Sequence, residues 1–552
     1  MSAHALDTWL LVNYAGYPFA PNSLMPDNGM ANLAGALYEQ GTDVQILDYC
    51  AASTVERMTS PELRQQLAKS WETLRAPGRG PFRTLSRYGA LQTLKRCEKE
   101  RRRLQDRAVT EIADEVVEHV QRRKVQAVGL KLWNGDGLEG SGRLARAIRK
   151  RCPGVRVFGG GPHVDVFATG ILQRYPLFDA LVYGEGEVTI RRLAESGNNP
   201  AAYDDIPNLI HVRNGETRQS PRQMIEDLDQ LPMPIYDPAV YPAMAGDEKV
   251  KLAVIDESRG CRNECSFCIH PLKSNRQVRV KSIARLLREI DLLGERYGFH
   301  SFRFGGSCTP YSLLNGFAGE VLRQNRKLRY ASFAHIRDSH EADFFAIRRS
   351  GCVALFFGLE SGSQRILDSM RKHIRVEEMA ETLRRASEAG IFTVGSLIFP
   401  APGETAESEA DTIRLLREAP LNSVMLQAPI IAPQTDWFES PESYGIHFPD
   451  KARYLNDVLT WKVKLQLPPR FWDSLPVMID GRTYPQVLAK AGELGRQIAA
   501  MGLPTAISDE TYLMSVNAGM DATEFRNKSL AAFFSGDTAA IRDLVGRINR
   551  GC

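Results

Sequence analysis

At 552 residues the chain exceeds one ordinary domain and suggests two or three. A hydrophobic content of 43% with 25% charged residues excludes a disordered protein. Lys+Arg at 70 against Asp+Glu at 66 leaves a net +4, too balanced for a nucleic-acid surface, and no apolar run nears the ~20 residues of a membrane helix. Asp7 ahead of the short run Trp9 to Val12 gives no secretory pattern. Nine cysteines, an odd count with three clustered, fit a reducing cytoplasm better than a disulfide framework. A cytoplasmic protein with neither a nucleic-acid nor a membrane partner is expected.

Residues 1–200 alternate strand-like and helix-like patterns. Thr8 to Tyr14 reads as a buried strand, Asn28 to Gln40 as a helix stopped by Gly41, and Asp43 to Tyr49 and Ala127 to Trp133 as further strands. Val155 to Phe158 runs into Gly159, Gly160, Gly161, Pro162 and His163, and Ala180 to Tyr183 into Gly184, Glu185, Gly186 and Glu187. Strands separated by helices imply a doubly wound parallel sheet, an α/β fold in which ligands sit beyond the carboxyl ends of the strands. Those ends carry Tyr14, Gly16, Trp133, Asn134 and the two glycine turns. Glycine there lets backbone approach a large flat ligand. A helical insertion is expected over about 54–124, with its charged stretch Lys95 to Arg107 as a solvated face.

Residues 201–248, rich in Pro and Asp, read as an extended linker. From about 249 to 435 a second βα rhythm gives six units, a partial (β/α)6 barrel with strands at Leu252 to Ile255, Ser301 to Phe304, Tyr330 to Ala334, Val353 to Phe357, Phe392 to Phe399 and Ser423 to Gln427. Chemistry in such barrels sits at the strands' carboxyl ends. This register puts there a cysteine loop, Gly305-Gly306-Ser307, the Gly358 to Ser363 turn and the Pro402 to Thr405 turn. Cys308 and Tyr311, just past the second of these, are candidate catalytic residues at the mouth. Residues 436–552 open with many aromatics and continue as helices, a helical C-terminal cap expected to supply substrate contacts.

The cysteine loop is Cys261, Cys265 and Cys268. Thiolates suit iron–sulfur clusters and zinc. Three of them would hold a four-iron cluster and leave one iron open to a ligand. The other reading is a non-catalytic zinc loop with His270 as its fourth ligand.

The spacing of four and three, with Phe267 before the last Cys, resembles radical S-adenosylmethionine (SAM) enzymes, and the resemblance extends over about 250–430. It implies a [4Fe–4S] cluster on Cys261, Cys265 and Cys268. It also implies SAM held near Phe267, by Gly305, Gly306 and Ser307, by Glu360 at the ribose, and by Ser361 and Arg337 at the carboxylate. Ser307 stands where the family carries an acid. The order of the triple-glycine and Gly-Glu-Gly-Glu turns ahead of this motif resembles the cobalamin-binding domain of B12-dependent radical SAM proteins. That implies cobalamin against Tyr14, Gly16, Trp133, Asn134, Gly159, Gly160, Gly161, Gly184, Glu185 and Gly186. The D-x-H-x-x-G motif is absent, so no histidine from the first loop would ligate cobalt, and His163 is the only His in these turns. Most such enzymes are methyltransferases, so the expected activity is methyl transfer from SAM through cobalamin to an unactivated carbon, or phosphorus, of a small-molecule or peptide natural-product intermediate. An electron donor such as flavodoxin or ferredoxin would be needed. A cobalamin-binding radical SAM enzyme that cyclises or rearranges without methylating is the alternative within the family.

Overall fold

The computed structural model describes residues 6–551 apart from 79, 198, 463, 465 and 466. The first sheet comprises β1 (Thr8–Asn13), β2 (Asp43–Asp48), β3 (Ala127–Lys131), β4 (Arg156–Gly160), β5 (Ala180–Val182), β6 (Leu209–Arg213) and β7 (Glu216–Gln219). Its order is β2-β1-β3-β4-β5-β6-β7, parallel through β5. Alternation along β1 sorts the layers. Trp9 and Leu11 pack in one core with Met30, Leu37 and Leu193 from helices Asn28–Glu39 and Glu187–Ser196. Leu10 and Val12 pack in another with Ile112, Val116 and Leu144 from helices Pro81–Arg123 and Asp136–Arg151. The reversal of strand order beside β1 marks the crevice where doubly wound sheets take ligands.

The linker is partly sheet: β6 and β7 form an antiparallel hairpin on the edge of the first sheet. Its two-residue loop, Asn214-Gly215, has φ of +54° and +80°, the left-handed pair such a tight hairpin needs. This Asn-Gly signal lay within the stretch read as extended linker. The charged helix also departs from a solvated face. Glu98, Arg101, Leu104 and Gln105 are buried. Arg101 forks onto Glu98 at 2.9 and 3.1 Å and lies over the Tyr17 and Phe19 rings, so the first loop roofs this part of the helix.

The second sheet has six parallel strands, β8 (Ala253–Ile255), β9 (Phe302–Phe304), β10 (Tyr330–Ala334), β11 (Cys352–Glu360), β12 (Phe392–Ile398) and β13 (Ser423–Gln427), paired in chain order. This is the expected open βα barrel. The core on one face of the first sheet continues into it through Ile255, Phe302, Phe304 and Leu355. The C-terminal part divides. Trp437, Phe438 and Tyr454 pack with Ile366, Met370 and partly buried Phe267 above the cysteine loop. Helix Asp509–Asn517 packs at the opposite end, with Leu513 and Met514 in one core with Val353 and Ala354. Helix Ala522–Ser535 then returns to the first domain, where Phe534 meets Trp71. No helix among the described residues is long and apolar enough to cross a membrane.

Helix Asn28–Glu39 docks on the linker at Gly35, where a β-carbon would overlap the Met233 carbonyl oxygen. Gly35→Ala is expected to lower stability by about 1–3 kcal/mol, the usual cost of overpacking, read by thermal or urea unfolding.

Candidate active site between the two sheets

The carboxyl ends of the two sheets face one another across a cavity of about 500 Å³. One wall is Gly159, Gly160, Gly161, Gly184, Glu185 and Gly186; the other includes Gly260, His270, Gly305, Gly306 and Ser307. The triple-glycine turn and the loop beginning at Cys261 therefore lie on the same side of the molecule. A β-carbon on Gly160 or Gly184 would meet no protein atom closer than 3.7 Å; it would stand in the cavity itself. Gly161 and Gly184 also have φ of +115° and +67°, which side-chain-bearing residues rarely adopt. Bare backbone along this wall fits a large flat group. Gly159 is different, since Leu132 and Leu181 would crowd a β-carbon there.

Several residues expected at the cobalamin lie elsewhere. Tyr14 is 1% exposed and packs its ring on Gly140. Gly16, at φ +88°, makes room for Asp136. Trp133 donates to Asn13 Oδ1 at 2.8 Å, Asn134 is exposed, and none of these four lines the cavity. Glu185 lines it, but its carboxylate is engaged by Arg279 at 2.6 and 3.1 Å and by the Ile225 amide at 2.7 Å. His163 stacks on Phe167, leaves Nδ1 buried without a partner among the described residues, and has its pKa pushed down to about 4 chiefly by burial.

Cys261 is buried and Cys265 and Cys268 are half-buried. Burial raises the Cys265 thiol and pushes Cys268 up to about 12, and each also feels Cys261. Asn263 Nδ2 lies 3.4 Å from Cys261 Sγ. Soft donors gathered beside a buried ammonium, Lys372, fit an anionic iron–sulfur group. Among the described residues no three His, Cys, Asp or Glu side chains converge on a single ion. A four-iron cluster does not require that, because each sulfur takes its own iron. Phe267 packs its ring 5.5 Å from Trp437 and roofs the loop.

Gly306 donates its amide to Glu257 Oε2 at 2.9 Å. Glu257 is fully buried, accepts from Thr309 at 2.6 Å and Ser258 at 2.8 Å, and is raised above the usual carboxylate range by burial. It supports the Gly305–Gly306 turn from behind. Ser307 Oγ sits 2.9 Å from His270 Nδ1 at the cavity edge. Glu360, held at φ +66°, bonds Lys372 at 3.0 Å and Ser396 at 3.3 Å. Ser361 faces inward: its hydroxyl accepts from the Ser363 amide at 3.1 Å and meets Thr412 at 3.4 Å. Arg337 is half-buried, and its guanidinium has no hydrogen-bond partner among the described residues. Beside it His335 accepts the Arg337 amide at Nδ1, leaving a buried Nε2 without a partner among the described residues. Tyr311 donates to the His335 carbonyl at 2.7 Å and is 4% exposed, a packing position. Half-buried Cys308 has its thiol pushed up to about 12, by burial first and then by Cys261. The sequence did not mark Glu257, His335 and Lys372. His335 immediately follows β10 and Glu257 lies two residues past β8, the one signal available for them.

The two domains are joined by ion pairs around the cavity. Arg259 reaches Glu187 at 2.5 Å and Asp256 at 2.9 Å, and Arg279 holds Glu185. A glycine-walled doubly wound sheet facing a three-cysteine βα barrel defines the class of cobalamin-binding radical SAM proteins. Residues 92–194 match the B12 binding domain and residues 257–416 the radical SAM superfamily. The chain thus carries a region matching a B12-binding domain ahead of one matching a radical SAM domain, and these domains imply a [4Fe–4S] cluster, SAM and cobalamin as its cofactors. It is 27% identical over 279 residues to an uncharacterised methyltransferase from Pyrococcus horikoshii, covering 50% of this chain and 60% of that protein. It is also 27% identical over 372 residues to the cobalamin-dependent radical SAM methyltransferase TokK of Streptomyces tokunonensis, covering 63% and 52%. The chain thus spans between half and three-fifths of these curated relatives. Similarity reaches tRNA-2-methylthio-N(6)-dimethylallyladenosine synthase of Saccharopolyspora erythraea as well, 26% over 355 residues and 61% and 67% of the two chains. In structure the chain resembles the methyltransferase TsrM of Kitasatospora setae solved with cobalamin and a [4Fe–4S] cluster: TM-score 0.62, 16% identity, 97% of this chain and 99% of that one. That likeness is one of fold.

Two measurements probe this geometry. A β-carbon on Gly306 would collide with the Ser258 hydroxyl and the Glu257 carboxylate. Gly306→Ala is expected to weaken SAM binding at least tenfold by equilibrium dialysis while iron content is kept. Glu257 has a raised folded pKa, so its protonated form favours folding. Its contribution is fully present below the ordinary carboxylate pKa and is lost as pH climbs through the raised one. Relative to Glu257→Gln, the wild type is expected to lose stability as pH rises from about 4.5, read from urea midpoints across that range.

Proposed function

We propose that this protein is a cobalamin-dependent radical SAM methyltransferase acting on an unactivated carbon, or phosphorus, of a small-molecule or peptide intermediate. One observation carries the reading: the glycine turns of the first sheet and the Gly305–Ser307 turn beside the cysteine loop wall the same cavity. When bound, the cluster and SAM supply one-electron bond cleavage and cobalamin supplies methyl carriage. Cys261, Cys265 and Cys268 hold three corners of the cluster. Glu360 accepts hydrogen bonds from the ribose hydroxyls, a charge-assisted contact. Arg337, with an uncommitted guanidinium, suits the SAM carboxylate. Phe267 and Trp437 exclude water above the loop. Gly160, Gly161, Gly184 and Gly186 leave the cobalamin its space. The balanced charge of the chain favours a small molecule or peptide over RNA, and a flavodoxin or ferredoxin would deliver the electron.

After anaerobic reconstitution, the wild type is expected to bind about four irons per chain and one corrinoid, and with dithionite to turn SAM over to 5′-deoxyadenosine. The Cys261→Ala, Cys265→Ala, Cys268→Ala variant is expected to keep the corrinoid and lose all SAM cleavage. Unchanged cleavage in that variant, or one zinc in place of iron in the wild type, would sink the reading. S-adenosylhomocysteine formed in step with product separates methyl transfer from a non-methylating rearrangement.

A further inference from the structure

One buried cation has no part in the binding roles assigned so far. Lys372 lies in the turn that follows helix Gln364–Ser369. Arg371 and His373 on either side have φ of +50° and +53°. This backbone sends the neighbours outward and Lys372 inward. Arg371 pairs with Asp436, His373 stands 3.6 Å from Glu264, and Lys372 is 6% exposed. The turn grips the cysteine loop. The Ser266 amide donates to the Met370 carbonyl at 2.9 Å, and the Ser266 hydroxyl lies 3.5 Å from the Ser369 carbonyl. Ser266 sits between Cys265 and Cys268, so these contacts set the loop against the Lys372 turn.

The space around the ammonium is reserved. A β-carbon on Gly358 would come within 2.8 Å of Lys372 Nζ and 2.6 Å of Glu360 Oε1. Lys372 Nζ is 3.0 Å from that carboxylate oxygen. The charge also reaches the sulfurs. Lys372 lies within charge-interaction range of Cys265, Cys268 and Cys308. Burying an ammonium is costly unless it is paired. Glu360 alone would pair it at any place along the rim. Its placement against the cysteine loop is the feature that needs a reason.

We propose that Lys372 is a positioning residue that holds a fixed positive charge against the iron–sulfur group of Cys261, Cys265 and Cys268 and makes that group easier to reduce. The proposal rests on the functional reading above only in that these cysteines carry a [4Fe–4S] cluster. On reduction the cluster accepts one electron, and one unit of negative charge, from an external low-potential one-electron donor. No proton moves, and Lys372 is a cation in both states. A cation in low-dielectric surroundings stabilises the more negative state. Glu360 opposes this in part. The same ammonium also fixes the Glu360 carboxylate, so the group that eases reduction also orients the one that meets the ribose.

The test is potentiometric titration of the reconstituted, SAM-free protein, followed by EPR of the reduced cluster. Lys372→Met with wild-type iron content is expected to shift the midpoint to more negative potential. Lys372→Arg, which keeps the charge, is expected to titrate with the wild type. Glu360→Gln, which removes the opposing charge, is expected to shift the midpoint the other way. A Lys372→Met protein with full iron and the wild-type midpoint overturns the proposal. Should Lys372→Met not retain iron, Glu360→Gln decides, and a midpoint unmoved or more negative overturns it. Absence of a cluster in the wild type would defeat the functional reading as well, whereas a full cluster with unshifted potentials defeats this inference alone.

Discussion

The site depends on a set of ion pairs that hold the carboxyl ends of two sheets against one another. Glu185 and Glu187 leave the carboxyl end of β5, and Arg259 and Arg279 flank the cysteine loop of the barrel. Arg259 is shared by Glu187 and Asp256, and Arg279 also donates to the Ile225 carbonyl at 2.6 Å. These side chains are largely withdrawn from water. Removing one partner of such a buried pair typically costs about 3–5 kcal/mol, because the other charge is left uncompensated. The value of the network is directional. It allows one orientation of the glycine wall against the barrel mouth, and hydrophobic contact alone would tolerate several.

Around the barrel mouth, buried polar groups hold backbone as well as each other. Glu257 takes the Gly306 amide, Ser266 is tied into the Lys372 turn, and Thr412 accepts the Gly362 amide. Loops at the ends of strands carry many unpaired amides, and each left unmet in the interior costs stability. Meeting them from other segments of the chain makes four separate turns behave as one rigid rim. A rim of this kind can hold a cluster and a nucleoside in fixed register.

The sequence showed the architecture well because strand alternation and glycine turns are local signals. All five parallel strands of the first sheet and all six of the barrel lie where periodicity put them, and the cysteine spacing marked the loop. Side-chain roles were less legible. Glu185 reads as a cofactor contact, since a carboxylate in a Gly-rich turn has nothing nearby in the sequence to bind; its partner Arg279 is 94 residues away. Tyr14 reads as a rim residue, and only the packing against Gly140 shows that it points into the core. Ser361 follows Glu360 in the motif, yet the left-handed backbone at Glu360 turns the chain there and Ser361 ends against Thr412. Lys372 sits in Met-Arg-Lys-His, which looks like an exposed charged turn, and its inward direction comes from left-handed neighbours that sequence does not announce.

The C-terminal part shows how an open barrel is finished without being closed. A six-stranded sheet leaves two free edges and two open ends. The far end is plugged by helix Asp509–Asn517, which pairs Asp509 with Arg303 of β9 at 2.9 Å. The mouth receives a different cover. Trp437 donates its amide to the Ser266 carbonyl at 3.1 Å, and the aromatic cluster behind it rests on the cysteine loop. The plug is helical and ties the barrel back to the first domain, so it serves stability. The roof is built from short segments around Trp437, Tyr454 and Trp461 and touches the loop that carries the chemistry.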